Sequence, residues 1–452
     1  MELKDKKVLV VGLGISGIST VNTLIDLGSK VTVNDQKTKE ELKEITKELT
    51  KDKVDFILGK DPENMGIFDL VVLSPGVPTD LSFIQKAKEL GITIIGELEL
   101  AYTLCKGQFI AITGTNGKTT TTSLVGEIFE NAKKETYVVG NIGVAAVSKA
   151  QNASKEAFMI TEVSSFQLES IIEFTPKIAA ILNVTPDHLN RHKTIDNYVK
   201  AKANIFKNQT KDHILILNKD NPVTYNIKDL AKSQVIPFSR KVTLEKGAFV
   251  VDEYIVVKEE NKAYEKICKV DDLKIPGKHN LENALAAIAI AHFAGIDHKV
   301  IADTVKNFMG VEHRIEFVEE INKVKFFNDS KGTNPDASIR AIEAMKNPIV
   351  LIAGGMDKGT AFTEFIQSFD NKVKHMIIFG ETAEKIRKTA AENNFLECSI
   401  VKNLEEAVLL SSKIAKEGDC VLLSPACASW DMYPSYEVRG KHFKERVKKL
   451  RG

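Results

Sequence analysis

The sequence predicts an α/β protein built as three domains in series, each a largely parallel sheet covered by helices. Three observations predict it. A chain of 452 residues exceeds one ordinary hydrophobic core, and roughly three domains follow from that length. Short apolar runs alternate with amphipathic stretches of helical period, the rhythm of βαβ units. Most of those runs end in glycine or small polar residues, as strands do where a sheet collects ligands at its carboxyl edge.

Bulk properties narrow the class. Hydrophobic residues at 43% and charged residues at 27% are ordinary for a soluble globular protein. A net charge of +1 argues against a dedicated nucleic-acid partner. Met1 to Lys7 is charged and lacks the apolar core of a leader, and no apolar run approaches the ~20 residues of a membrane helix. The five cysteines are scattered and without metal-type pairing, so they read as reduced thiols of a cytoplasmic protein.

Residues 1–96 make the first domain. Lys7–Val11 is a strand, Gly12, Gly14 and Gly17 follow, and an amphipathic stretch runs to Leu27, where Gly28 stops the helix. Lys30–Asn34 is a second strand reaching Asp35, and Asp69–Ser74 a third running into Pro75-Gly76. The Gly12-x-Gly14-x-x-Gly17 spacing with Asp35 behind it fits the dinucleotide fingerprint. Alone, it indicates a diphosphate near a helix N-terminus more firmly than a nicotinamide. With a second phosphate loop downstream, a nucleotide-diphosphate substrate is the better reading here.

Residues 97–310 make the second. The strand Phe109–Thr113 runs into Gly114-Thr115-Asn116-Gly117-Lys118-Thr119-Thr120 and a helix from about Thr119. Glycines at both ends of the turn bring amide N–H groups close to an anion, and the helix points its positive end at the same spot. Lys118 can reach terminal phosphates, and the Thr119 hydroxyl suits Mg²⁺. The spacing departs from the common nucleotide loop, since Ile112 stands five before Gly117. A solvent turn is the bland alternative; the strand–loop–helix setting favours ATP.

Further strands are expected at Phe158–Glu162, Ile178–Asn183 and His213–Asn218, then short β pieces over 235–269 with turn candidates at Gly247 and Asp252-Glu253. Glu162, at a strand end one strand from the phosphate loop, reads as a Mg²⁺ ligand or a surface acid. His188, in Asn183-Val-Thr-Pro-Asp-His188, is structural or serves a metal or substrate. Lys202 falls four after Tyr198 and four before Phe206, on an inward face where an ammonium is disfavoured; a snorkelling lysine is the reading the sequence alone favours. Asn280 and Asn283 lie one turn apart at the start of a helix over 280–294, with Asn280 its expected N-cap.

Residues 311–452 make the third, with strands at Val324–Asn328, Ile349–Ala353, His375–Phe379 and Cys420–Ser424. Arg314 and Asp329-Ser-Lys-Gly-Thr-Asn334 lie beyond the expected domain joint, where a cation delivered onto a γ-phosphate is a recurring device. Cys427 reads as a buried small residue rather than a nucleophile. The plan is thus a Rossmann-like first domain, a P-loop ATPase-like centre and a Rossmann-like last domain.

The order of Gly-Leu-Gly-Ile-Ser-Gly (12–17), Ser-Pro-Gly-Val-Pro (74–78), Gly-Thr-Asn-Gly-Lys-Thr-Thr (114–120), Glu-Val-Ser-Ser-Phe-Gln-Leu-Glu (162–169), Asn-Asp-Ser-Lys-Gly-Thr-Asn-Pro (328–335) and Leu-Ser-Pro-Ala-Cys-Ala-Ser (423–429) resembles the Mur ligases. Phe-Gln-Leu after Glu162 and the closing Ser-Pro-Ala-Cys-Ala-Ser resemble their D-glutamate-adding branch. The resemblance spans essentially the whole chain. It implies peptidoglycan precursor synthesis, with ATP driving ligation of D-glutamate to UDP-N-acetylmuramoyl-L-alanine through an acyl phosphate, in a cytoplasmic monomer.

By the same matching, Gly114, Thr115, Asn116, Gly117, Lys118, Thr119, Thr120, Asn280, Asn283, Arg314 and Asp329 would bind ATP. Ile15, Ser16, Asp35, Gln36, Lys37, Ser74, Gly76, Asn141 and His188 would line the UDP-sugar site. Thr333, Lys358, Ser429, Trp430 and Tyr436 would bind D-glutamate. Lys118, Glu162, His188 and Lys202 would be catalytic. Thr119 and Glu162 would hold one Mg²⁺, and His188 with a carbamylated Lys202 a second.

Overall fold

The computed structural model describes residues 2–49 and 54–451, and its packing divides into two units, Met1–Asp272 with Glu282–Asn307 and Leu273–Leu281 with Phe308–Gly452. The fold is α/β with three sheets, as the alternating pattern predicts.

In the first unit, β1 (Lys7–Val11), β2 (Lys30–Asp35), β3 (Val54–Leu58), β4 (Leu70–Leu73) and β5 (Thr93–Gly96) form a sheet of order β3-β2-β1-β4-β5, parallel throughout. The order reverses beside β1, so its glycine-rich exit lies at the switch point where such sheets bind ligands. A second sheet comprises β6 (Gln108–Thr113), β7 (Thr136–Gly140), β8 (Phe158–Glu162), β9 (Ile178–Ile181), β10 (Ile214–Asn218), β11 (Gln234–Ser239), β12 (Gly247–Val251), β13 (Tyr254–Lys258) and β14 (Glu265–Lys269), in the order β14-β13-β12-β11-β10-β9-β6-β8-β7. Its β7–β12 part is parallel because β6 and β8–β10 are buried apolar runs. The β12–β14 end is an antiparallel meander, turned by Asp252 and Glu253 at φ of 46° and 67°, the turn expected there.

The two sheets of this unit are bolted together by the helix Glu97–Leu104, which follows β5 directly. Two of its acids are buried at 2% exposure. Glu99 accepts N–H bonds from Ile172, Glu173 and Phe174 at 2.9, 2.7 and 3.1 Å. Glu97 accepts the Val147 N–H at 2.7 Å while its Oε2 lies buried without a hydrogen-bond partner among the described residues. Burial pushes the Glu97 carboxyl up to about 7, against the Val147 and Ala146 amides. One apolar core runs from Val8 and Val10 to Phe109, Phe174 and Leu217.

In the second unit, β15 (Glu316–Ile321), β16 (Val324–Asn328), β17 (Ile349–Ala353), β18 (Val373–Ile378), β19 (Cys398–Ile400) and β20 (Cys420–Leu423) form a sheet of order β15-β16-β20-β17-β18-β19. Only the β15–β16 hairpin is antiparallel. Among the described residues no helix is long and apolar enough to cross a membrane.

Candidate active site

The phosphate loop is built by what surrounds it. β6 ends at Thr113 and the helix Lys118–Asn131 starts on Gly117, at φ +85° and with no side-chain capping bond. The helix thus turns its positive N-terminal end toward the loop, an arrangement that suits an anion. A Cβ on Gly117 would fall 2.2 Å from Asn283 Oδ1, so both backbone and space demand glycine.

Asn183 clamps the loop. Its Oδ1 accepts the Asn116 N–H at 2.9 Å, its Nδ2 donates to the Asn116 carbonyl at 3.0 Å, and its own carbonyl accepts the Thr115 N–H at 2.9 Å. The Thr115 hydroxyl donates to the Thr185 carbonyl and accepts the Thr185 N–H, both at 3.1 Å. The sequence places Asn183 at a strand end and says nothing of this role; only pairing of β9 with β6 brings it there.

Two lysines share one acceptor. Lys118 Nζ donates to the carbonyls of Gly114 and Thr115 at 2.9 Å each, and Lys202 Nζ donates to the same Gly114 carbonyl at 2.9 Å. Lys202 is 1% exposed, with its Nζ 4.5 Å from the Tyr198 ring centroid. Burial first, then the Lys118 charge, holds its amine far below the usual lysine range; Asp187 and Glu162 oppose them. So Lys202 points inward.

Glu162 ends β8 opposite Ile112 of β6 and is 2% exposed. Asn141 Nδ2 donates to its Oε1 at 3.0 Å, while Oε2 is buried with no hydrogen-bond partner among the described residues. An orphaned carboxylate oxygen beside a phosphate loop that also carries Thr119, 4% exposed, is a donor set that hard Mg²⁺ prefers. Among the described residues no three His, Cys, Asp or Glu side chains gather at one point, so any metal here depends on hydroxyl and phosphate oxygens as well. His188, at φ +53°, opens the short helix Leu189–His192; its half-exposed ring lies 3.6 Å from the Asp187 carboxylate.

At the exit of β1, Gly12 adopts φ +92° and a Cβ on Gly17 would meet the Gly12 carbonyl at 1.9 Å. Ser74 donates to that carbonyl at 2.8 Å, and Asp35 accepts the N–H groups of Leu13 and Lys37 at 2.8 and 2.9 Å. Asp35 thus shapes the loop. The helix Ile15–Asp26 again starts without a side-chain cap. Ile15, Gln36, Lys37 and Gly76 are exposed around it, with Ser16 half-buried.

In the second unit, Asp329 follows β16 and is buried, accepting from the Ser424 hydroxyl at 2.7 Å and the Ile315 N–H at 3.2 Å. Burial pushes its carboxyl up to about 6, with Arg314 and Ser424 opposing. Lys358 Nζ stands 5.0 Å from the Trp430 ring centroid, Ser429 is buried beside it in sequence, and Tyr436 begins the helix Tyr436–Lys448. Thr333 is half-buried in the loop after Asp329. Arg439, which the sequence does not single out, is wholly buried and donates to Ser330 Oγ, the Ser330 carbonyl and the Cys427 carbonyl at 3.0, 2.9 and 3.2 Å. It ties the loops after β16 and β20 together.

One expectation is corrected. The helix bearing Asn280 and Asn283 is Lys278–Phe293, so Asn280 lies in its first turn and is not the N-cap. The Gly277 carbonyl accepts the Asn280 and Leu281 N–H groups, and Asn280 Nδ2 donates to the Pro276 carbonyl at 2.7 Å. Gly277, at φ +99°, starts the helix early. Cys427 is buried, 3.3 Å from the Thr382 hydroxyl, and burial pushes its thiol up to about 11, as suits a packing residue.

Residues 6–96 match the family model of the Mur ligase MurD-like N-terminal domain, 112–291 the Mur ligase middle domain, and 313–427 the Mur ligase glutamate ligase domain. The chain is 54% identical over 454 residues to the UDP-N-acetylmuramoylalanine–D-glutamate ligase of Alkaliphilus metalliredigens, covering all of both chains. It is 54% identical over 454 residues to the protein of that name from Thermoanaerobacter pseudethanolicus, again with full coverage. The crystal structure of the UDP-N-acetylmuramate–alanine ligase MurC from Thermotoga maritima superposes with a TM-score of 0.62 at 20% identity, over 98% of this chain and 100% of that one.

Proposed function

The chain belongs to the Mur ligase family, and from that premise we propose that it joins D-glutamate to UDP-N-acetylmuramoyl-L-alanine, driven by ATP, in peptidoglycan precursor synthesis. The observation that carries this reading is the 54% identity to D-glutamate ligases across the whole of both chains. We further propose a cytoplasmic monomer that takes the sugar nucleotide on residues 1–96, ATP on 97–310 and D-glutamate on 311–452.

A carboxylate is a poor electrophile, so the γ-phosphoryl group first passes to the alanyl carboxylate, giving an acyl phosphate and ADP. The D-glutamate amine then attacks the acyl carbon, and inorganic phosphate leaves from the tetrahedral intermediate. Little covalent work falls to the protein; positioning and charge neutralisation do the rest. Lys118 and the loop amides would grip the β- and γ-phosphates, with Arg314 adding charge and Asp329 meeting the ribose. Lys358 and the hydroxyls of Thr333 and Ser429 would meet the D-glutamate carboxylates, beside Trp430 and Tyr436. Asn141 would reach the sugar nucleotide while holding Glu162.

Thr119 and Glu162 would hold one Mg²⁺, and His188 with Lys202 a second; bound metal supplies neutralisation of the triphosphate charge. The depressed basicity of Lys202 supports its carbamylation, because only the neutral amine adds to CO₂, forming an N–C bond and releasing one proton. The resulting anion would stand beside the Lys118 ammonium and balance its charge.

An amino-acid panel tests the reading. Purified protein with ATP, magnesium and UDP-N-acetylmuramoyl-L-alanine should release phosphate with D-glutamate and not with L-glutamate, L-lysine or diaminopimelate. Equal release with any of those rejects the assignment of the amino acid.

A further inference from the structure

The segment after Glu162 is attached to the segment after His188 by a pair the proposed chemistry does not use. Arg191 donates one guanidinium N–H to Glu169 Oε2 at 2.6 Å, and the same nitrogen lies 3.4 Å from the Val77 carbonyl. Val77 belongs to the Ser74–Pro78 turn at the exit of β4 in the first sheet, so one side chain spans both sheets of the unit. Both partners are only about one-fifth exposed, at 22% and 20%, which strengthens a charge-assisted bond relative to an open surface pair.

The same acid faces a second neighbour. Glu169 Oε1 lies 3.6 Å from His192 Nδ1, and His192 Nε2 is bonded to the Ser165 hydroxyl at 3.0 Å. The His192 carbonyl accepts from Asn197 Nδ2 at 3.0 Å, in the helix Ile195–Ala203 that carries Lys202. Phe166 completes the arrangement, its ring 5.0 Å from that of His188 and 5.6 Å below the Arg191 guanidinium. The Phe-Gln-Leu-Glu run that marks the sequence thus supplies Phe166 and Glu169 to this arrangement.

We propose that Glu169 and Arg191 form a positioning latch: it sets the His188 turn and the Ser74–Pro78 turn in register, so that the sugar-nucleotide's acid group meets the phosphate loop. This rests on the proposed function of the site. Neither residue touches the reacting atoms. Loss of a charge-assisted bond of this kind is expected to weaken sugar-nucleotide use by about ten- to a hundredfold.

The test is a set of variants, Glu169→Ala, Glu169→Gln, Arg191→Ala and Arg191→Lys, in the full-length protein. With the latch, both alanine variants raise KM for UDP-N-acetylmuramoyl-L-alanine at least about tenfold while the ATP Kd stays within about twofold. Glu169→Gln, which keeps the acceptor, and Arg191→Lys, which keeps the charge, recover part of the loss. A parallel rise in both constants, an unchanged KM, or a Gln variant as impaired as the Ala variant overturns the latch. Amide hydrogen exchange over residues 74–81 reads it without substrate: faster exchange in both alanine variants supports it, and unchanged exchange overturns it. Failure of the wild-type protein to ligate D-glutamate instead overturns the reaction assignment, which exchange does not depend on.

Discussion

Asn183 makes the sharpest demand on the phosphate loop. Substituting alanine removes two side-chain hydrogen bonds to Asn116, at 2.9 and 3.0 Å, in a position 7% exposed. At about 0.5–1.5 kcal/mol net for each bond, the loop loses about 1–3 kcal/mol of its preference for the anion-binding shape. Every 1.4 kcal/mol is about a tenfold change in affinity, so ATP should bind roughly 5- to 140-fold more weakly. The backbone bond from Thr115 to the Asn183 carbonyl survives, so the strand itself should stay in place. Titration calorimetry of Asn183→Ala with Mg-ATP measures the loss, and the sugar-nucleotide Kd, read without ATP, should move less than about twofold. An unchanged ATP Kd would refute the idea that this amide pre-shapes the loop.

Three other outcomes are expected. Lys118→Ala should lower kcat at least about a hundredfold through lost stabilisation of charge on the γ-phosphate; near-normal turnover in a phosphate-release assay would remove that role. In ¹³C NMR with labelled bicarbonate, the wild-type protein should show a carbamate signal that Lys202→Arg lacks; identical spectra would argue against carbamylation. For Glu97 the folded carboxyl titrates at about 7 against an ordinary 4.5. Its contribution is therefore fully present below about pH 4.5 and is lost as pH rises through 7, costing about 3 kcal/mol above that. Glu97→Gln should match the wild-type Tm near pH 4 and exceed it at pH 8, and a pH-independent difference would contradict the assignment.

How much of this was legible differs by element for a physical reason. The strand ending at Thr113, the glycines of 114–117 and the turn at Asp252-Glu253 are local matters. Continuous apolar runs and positive-φ turns are written in consecutive residues, and the structure shows them there. For Lys202, helical spacing between Tyr198 and Phe206 offers an inward face, yet the sequence alone favours a snorkelling side chain; its 1% exposure is a result of tertiary packing. The start of the helix at Lys278 was not, because a glycine carbonyl took the capping role that side-chain chemistry suggested for Asn280.

By itself the sequence determined the α/β class, the three-part plan and the location of the glycine turns after β1 and β6, since backbone freedom and hydrophobic pattern act over a few neighbouring positions. Tertiary structure alone decided which distant groups meet there. Asn183 reaches Asn116 across paired strands, Lys202 shares a carbonyl with Lys118, and Glu97, Glu99 and Arg191 span between two sheets. Those contacts arise from strand order and burial, which no spacing along the chain encodes, and burial is also what moves Lys202, Glu97 and Asp329 away from their ordinary protonation.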